Sequence, residues 1–281
     1  MRKIICTLRK YLLPIGLFLL FETLAVSLGL TVHMFYLFNF TYIGFFVSLG
    51  FGLSIARYKH ARLVAQLGVG LYMLVFLGII NRENMQIEGF FYYISIGTYY
   101  AAVLHYLIAK IVGPLIFGRA WCSYACWTAM ILDLFPFKVP QKPQHKRLKY
   151  LRFGIFAISL LLFLIVYMYN RETLGSIMFI SFIIGNVIYY VVGIVLVFLF
   201  KDNRAFCKYF CPITVFLKPA SYFSLMRIKV KPDKCVSCNK CLKICPMDVD
   251  MLDNKRSRRN GTECILCGSC KRICPQKALT Y

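Results

Sequence analysis

Twelve of the thirteen cysteines fall into four spaced groups, and Cys6 stands alone. The two richest groups are CVSCNKCLKICP (235–246) and CILCGSCKRICP (264–275), offset by 29 residues. Each is C-x2-C-x2-C-x3-C-P, a spacing that holds 4Fe–4S clusters. Three closely spaced thiolates wrap three corners of a cubane but cannot reach the fourth, so the fourth ligand comes from the other copy. One set is then Cys235, Cys238, Cys241 and Cys274, and the other Cys264, Cys267, Cys270 and Cys245. Two clusters held in this interleaved way make one folding unit, with Pro246 and Pro275 turning the chain back over each site. Zinc knuckles share the C-x2-C element, but two identical four-cysteine runs without a histidine favour iron and sulfide.

The other two groups are pairs. RAWCSYAC (119–126) and RAFCKYFC (204–211) place Cys122 with Cys126 and Cys207 with Cys211, each at i and i+4. A helix continuing through a pair would point both sulfurs from one face with Cβ atoms ~5–6 Å apart. Two such claws facing each other offer four thiolates, a set suited to iron, an iron–sulfur cluster or zinc. An additional iron or cluster is therefore expected beside the two in the tail. Small buried cysteines also pack at helix ends as plain hydrophobes, but matched frames in two copies point to metal or redox chemistry. Pro212 should stop the helix at the second claw, whereas Trp127 occupies that place in the first.

Apolar helices must position these groups. The chain of 281 residues is 59% hydrophobic and only 16% charged, which excludes an ordinary soluble globule. Six stretches are near the length that crosses a bilayer, over 11–31, 36–56, 63–80, 90–117, 153–169 and 174–200. The first lacks the small-residue site of a cleaved signal and is read as a retained helix. With an inner N-terminus, the inner segments carry 17 Lys and Arg and the outer turns carry only Arg82 and Arg171. That bias puts both termini and every cysteine group on the cytoplasmic face of the plasma membrane. A reducing compartment keeps thiolates available for metal. The net charge of +23 is then a topology signal, and a nucleic-acid partner is not expected.

The inner turn His60-Ala61-Arg62-Leu63 recurs as His145-Lys146-Arg147-Leu148, and the outer turn Asn81-Arg82-Glu83 recurs as Asn170-Arg171-Glu172. With the claws, these repeats predict a two-helix unit duplicated about an axis along the membrane normal. The expected fold is an α-helical integral membrane bundle of about six transmembrane helices over 1–226. A C-terminal α+β two-cluster ferredoxin-like domain follows over 227–281. Residues 228–281 carry 12 basic against 5 acidic residues, densest at Lys255-Arg256-Ser257-Arg258-Arg259. Such a face could steer an acidic soluble redox partner or hold anionic lipid. Glu22 and His105, deep in apolar stretches, are candidate proton acceptors.

Six helices, two C-x3-C(P) pairs at helix ends and a terminal two-cluster unit together resemble the membrane polyferredoxins of the NapH/MauN type. They are also similar to the membrane portion of NosR and, more loosely, to the copper-reducing CcoG proteins. The resemblance runs from about His60 onward, and it departs at the missing proline of the first claw and at the added hairpin of helices 1 and 2. It implies electron transfer between the quinone pool, or a membrane redox partner, and other carriers. Two rival expectations are a metal-ion (copper) reductase or cofactor-assembly factor that binds its metal at the claws, and a non-catalytic redox sensor or membrane anchor.

Overall fold

A computed structural model describes the backbone of residues 2–56, 58–99, 101–142, 144–145, 147–169 and 173–281, with side chains from residue 11 onward except at 101. The outer turn Asn170-Arg171-Glu172 and the Cys6 thiol, both singled out in the sequence, lie outside the described residues, as do six of the basic side chains counted for orientation (Arg2, Lys3, Arg9, Lys10, Arg57 and Lys146).

Five helices are long and apolar enough to cross a membrane: Tyr11–Thr31, Phe35–Ile55, Ala61–Ile80, Leu148–Tyr169 and Leu174–Phe200. Helix α1 (Arg2–Thr31) and helix α2 (Phe35–Ile55) form a hairpin. Helix α3 (Ala61–Leu71) widens into a π-helix over Tyr72–Ile80. Side chains such as Leu161, Val191 and Phe198 lie more than half exposed, since lipid rather than protein is their solvent.

The expected span over 90–117 is not one helix. Helix α4 (Ile87–Ser95) ends, and the chain restarts as α5 (Ala101–His105), a π-helical stretch (Tyr106–Val112) and α6 (Gly113–Phe117). The cause is local. Ser95 turns its hydroxyl back to the Tyr92 carbonyl at 2.7 Å, Gly97 takes φ +70°, and Thr98 donates its amide to Tyr93. Side-chain competition for the backbone and a left-handed glycine both end helices. The apolar run from Ala102 to Phe117 is shorter than a full span.

The first claw lies on α7 (Trp121–Tyr124) and the turn before α8 (Trp127–Leu132). The second follows the long helices α9 (Leu151–Tyr169) and α10 (Leu174–Phe200) and lies on α11 (Ala205–Tyr209) before α12 (Thr214–Tyr222). The terminal unit is small. Strand β1 (Lys229–Val230), helix α13 (Lys240–Lys243), helix α14 (Ser269–Ile273) and strand β2 (Leu279–Thr280) are joined by loops. The two strands pair antiparallel, with Lys229 opposite Thr280 and Val230 opposite Leu279. This closes the unit's two ends on each other.

Candidate functional site

The 29-residue repeat of the tail is a repeat of backbone conformation. Left-handed φ values recur at Ser237 and Leu266, at Asn239 and Gly268, and at Asp248 and Lys277. Short 3-10 turns at Pro232–Lys234 and Gly261–Glu263 precede the two runs, and α13 and α14 follow at the same offset. Left-handed turns of this kind direct successive amides toward one concave face, which favours an anionic guest. The fourth cysteine of each run also accepts an equivalent bond. The Val249 amide donates to Cys245 Sγ at 3.4 Å and the Ala278 amide to Cys274 Sγ at 3.3 Å.

The two copies cross over. Cys235, Cys238, Cys241 and Cys274 line one cavity. Cys245, Cys264, Cys267 and Cys270 line a second. Each cavity thus gathers three cysteines of one run and the last cysteine of the other. Among the described residues, no three His, Cys, Asp or Glu side chains converge closely enough to share a single ion. A cubane spreads its four ligands around eight core atoms, so the open arrangement suits a cluster better than a tetrahedral zinc. Burial pushes the Cys264 thiol up to about 12 and raises Cys270 and Cys245 as well. Such thiols are held as thiolates only by the metal they bind.

The two cradles differ in position. Cys238 of the first is exposed, whereas Cys267 and Cys270 of the second are buried against the rest of the protein. The second cradle is fastened to the helical half by Glu263, the residue before Cys264. Its carboxylate lies against Arg119, meets Arg152 Nη2 at 2.8 Å and Lys218 Nζ at 3.3 Å, and is almost closed to solvent. Burial alone would raise this carboxyl, but the surrounding cations hold it down at about 2. Beside the pair, Gly118 at φ +56° lets the chain approach the Cys264 carbonyl, which accepts the Arg119 amide at 3.3 Å. A second clasp joins Lys208 of the second claw to Asp202 and to Asp248 of the tail, both at 2.7 Å.

The two claws lie within electrostatic reach of each other, although not on continuous helices. Both α7 and α11 end before the second cysteine: Ala125 leaves the helical region, Cys126 is extended, and the helical turn closes at Phe210. Trp127 and Pro212 therefore do not set different helix ends, since both helices stop two residues before the second cysteine. Cys122 and Cys207 are buried, and Cys126 and Cys211 are half-buried. Burial pushes Cys207 up to about 12, with charge on Cys126 and Cys122 adding to the rise and the Arg204 guanidinium opposing it. Cys211 is raised by burial and then by the other three thiols, so all four stand within electrostatic reach.

The repeated arginine of each claw frame is a site residue that the spacing argument passed over. Arg119 grips Glu263. Arg204, its counterpart, grips Asp133 at 2.5 Å, donates to the Cys122 carbonyl at 2.9 Å and stands 4.0 Å from Cys207 Sγ. Arg62 shares the Asp133 carboxylate at 2.9 Å. The identical RA opening of both frames was the available signal. Lys110 was missed because it sits in an apolar stretch. It is buried, with Nζ 5.6 Å from the Trp121 ring centre beside Cys122.

The two candidate proton acceptors have different surroundings. Glu22 accepts the Thr41 hydroxyl at 3.1 Å, and its other carboxylate oxygen is buried without a partner. The His105 ring lies 5.2 Å from Trp121 and 6.3 Å from Trp127, which flank the first claw, and its Nε2 is unpartnered. Next to Trp121 lies an apolar cavity of about 280 Å³ lined by residues including Phe21, Phe51, Val112 and Tyr124. The basic run of the tail is partly structural. Arg256 donates to the Tyr222 and Ser224 carbonyls, and Arg258 to Ile228 and Asp253.

Comparison with known proteins agrees with this chemistry. Residues 234–279 match the family described as "4Fe-4S dicluster domain". Residues 102–142 and 174–231, which contain both claws, match the family described as "4Fe-4S binding domain". The chain is similar to two uncharacterized proteins of Methanocaldococcus jannaschii. It is 29% identical to MJ0750 over 204 residues, covering 67% of this chain and 80% of that protein. It is 25% identical to MJ0749 over 186 residues, covering 62% and 70%. No solved structure matches it. With five membrane-length apolar helices and two matched 4Fe–4S regions, the chain is a membrane-associated iron–sulfur electron-transfer protein.

Proposed function

We propose that the chain carries three iron–sulfur centres in series, of the kind found in NapH/MauN-type polyferredoxins, and passes electrons between a membrane donor such as quinol and a carrier at the cytoplasmic surface. Cys122, Cys126, Cys207 and Cys211 hold the centre at the membrane face. Cys245, Cys264, Cys267 and Cys270 hold the inner cluster of the tail, and Cys235, Cys238, Cys241 and Cys274 the outer one. When bound, these groups supply one-electron redox chemistry. The protein fixes their order and surroundings.

The observation that carries this reading is the Arg119 junction. One residue touches the inner cradle through Glu263 and the Cys264 carbonyl, and it stands three positions before Cys122. The order of the three cysteine groups, from buried claws to the exposed Cys238, then runs from the bundle to water. The basic inner segments support a cytoplasmic face for all three. The cavity beside Trp121 and the unpartnered His105 Nε2 support entry of a membrane-soluble donor on the claw side. Burial of the claws favours a resident centre over a site that exchanges a substrate metal.

Anaerobically purified protein tests the reading by its iron and acid-labile sulfide. Three clusters require about 12 iron per chain and two require about 8. A Cys122→Ser/Cys207→Ser variant should lose about four iron and its reduction by quinol, while the tail clusters remain reducible by dithionite. Iron unchanged in that variant overturns the third centre.

A further inference from the structure

A second cavity, of about 160 Å³, lies where the helical half meets the inner cradle, and the proposed electron path touches it only at Cys267. Its walls come from three places. The turn between α2 and α3 supplies Lys59 and the first turn of α3 supplies Arg62, the segment after α8 supplies Lys138, and the inner cradle supplies Arg272 beside Cys267. Arg204 closes the base. Five basic side chains therefore face one carboxylate, Asp133, and that carboxylate is already shared between Arg62 and Arg204.

The donors outnumber their acceptors. Lys59 and Lys138 meet no carboxylate among the described residues. Arg204 Nε is buried with no partner. Arg272 rests one nitrogen on the Cys267 carbonyl and another on Ser269 Oγ at 3.2 Å, and the same hydroxyl oxygen lies 3.5 Å from Cys267 Sγ. An excess of cationic donors converging from three walls is matched by an oxyanion with several acceptor oxygens and more than one charge.

We propose that this cavity binds a phosphate group. The group could belong to an anionic phospholipid, because Tyr58 and Lys59 lie just beyond the end of α2, or to free phosphate, and the test below separates the two sources. Bound there, the anion stands beside Cys267. Its charge repels an added electron in the inner cradle, so by reciprocity the oxidised protein binds it more tightly than the reduced protein. Binding itself is independent of the proposed electron path, and only this redox linkage rests on that path.

The experiment uses full-length protein in neutral phosphatidylcholine nanodiscs, titrated with inorganic phosphate by calorimetry in the oxidised and dithionite-reduced states. Saturable binding is expected, weaker by about tenfold or more in Lys138→Gln and in Arg272→Gln, since each removes one charged donor. Both side chains are exposed, and Lys138 serves as the variant with no structural bond to lose. If lipid is the source, native mass spectrometry of protein taken from phosphatidylglycerol membranes shows retained anionic lipid in the wild type and none in the double variant. Absence of both signals, or equal signals in wild type and variants, overturns the site. Equal affinity in both redox states with full iron content overturns the linkage alone.

Discussion

Glu263 and Arg119 form an ion pair closed to water on both sides, between the residue before Cys264 and the residue three before Cys122. Glu263→Gln removes a charge that three cations surround and leaves them uncompensated. Breaking a buried pair from one side costs about 3–5 kcal/mol. The expected outcome is a terminal unit that detaches from the bundle, seen as faster proteolysis between residues 222 and 232 with the helices left intact. An Arg119→Met/Arg152→Met/Glu263→Leu triple variant should recover part of the loss, because it removes both fully buried cations together with their carboxylate.

Arg204 and Asp133 are the corresponding pair at the second claw. Arg204→Gln leaves the buried Asp133 carboxylate with Arg62 alone and releases the Cys122 carbonyl. Iron bound by the claws should fall while the dicluster signals persist. Iron analysis with low-temperature electron paramagnetic resonance reads both. Arg204→Lys should restore little, because a lysine cannot span Asp133 and the carbonyl at once.

At Gly268, φ is +72°, and an added Cβ would stand 3.3 Å from Arg272 Nη1. Gly268→Ala should cost about 1 kcal/mol in backbone strain. Asn239→Gly, at the matching position of the first cradle, should cost far less because asparagine already tolerates that conformation. Thermal bleaching of the cluster absorbance compares the two.

The terminal unit has two strands of two residues and helices of four and five. Regular structure so slight cannot hold a fold by apolar burial, so the ligands must supply its stability. Iron chelation should open residues from about 229 onward to hydrogen exchange. Amides in α9 and α10 should keep their protection. Persistence of the tail's protection after full loss of iron would contradict this account.

Much of the site was legible because it is local. The cysteine spacing and the 29-residue offset name the same residues that line the two tail cavities, Cys274 with the first run and Cys245 with the second. What escaped depends on contacts distant in sequence. Nothing near Glu263 announces that Arg119, from the turn before α7, and Arg152 and Lys218, from α9 and α12, will converge on it. The break after Ser95 was hidden by an apolar run that continues through Gly97, and nothing in the spacing of the claws marks the helix ends before Cys126 and Cys211. Lys110 was invisible because its neighbours read as lipid-facing.

The crossed cysteine linings of the two tail cavities, taken as the proposed ligand sets, impose an order on biogenesis. Cys235, Cys238 and Cys241 leave the ribosome well before Cys274, so the first cradle stays incomplete until the second run has been made. The bundle's helices are synthesised earlier and can enter the bilayer while the cradles are still open. Metal loading therefore belongs after insertion, at the membrane surface, and a nascent chain stalled between the two runs would expose thiols that a finished one conceals.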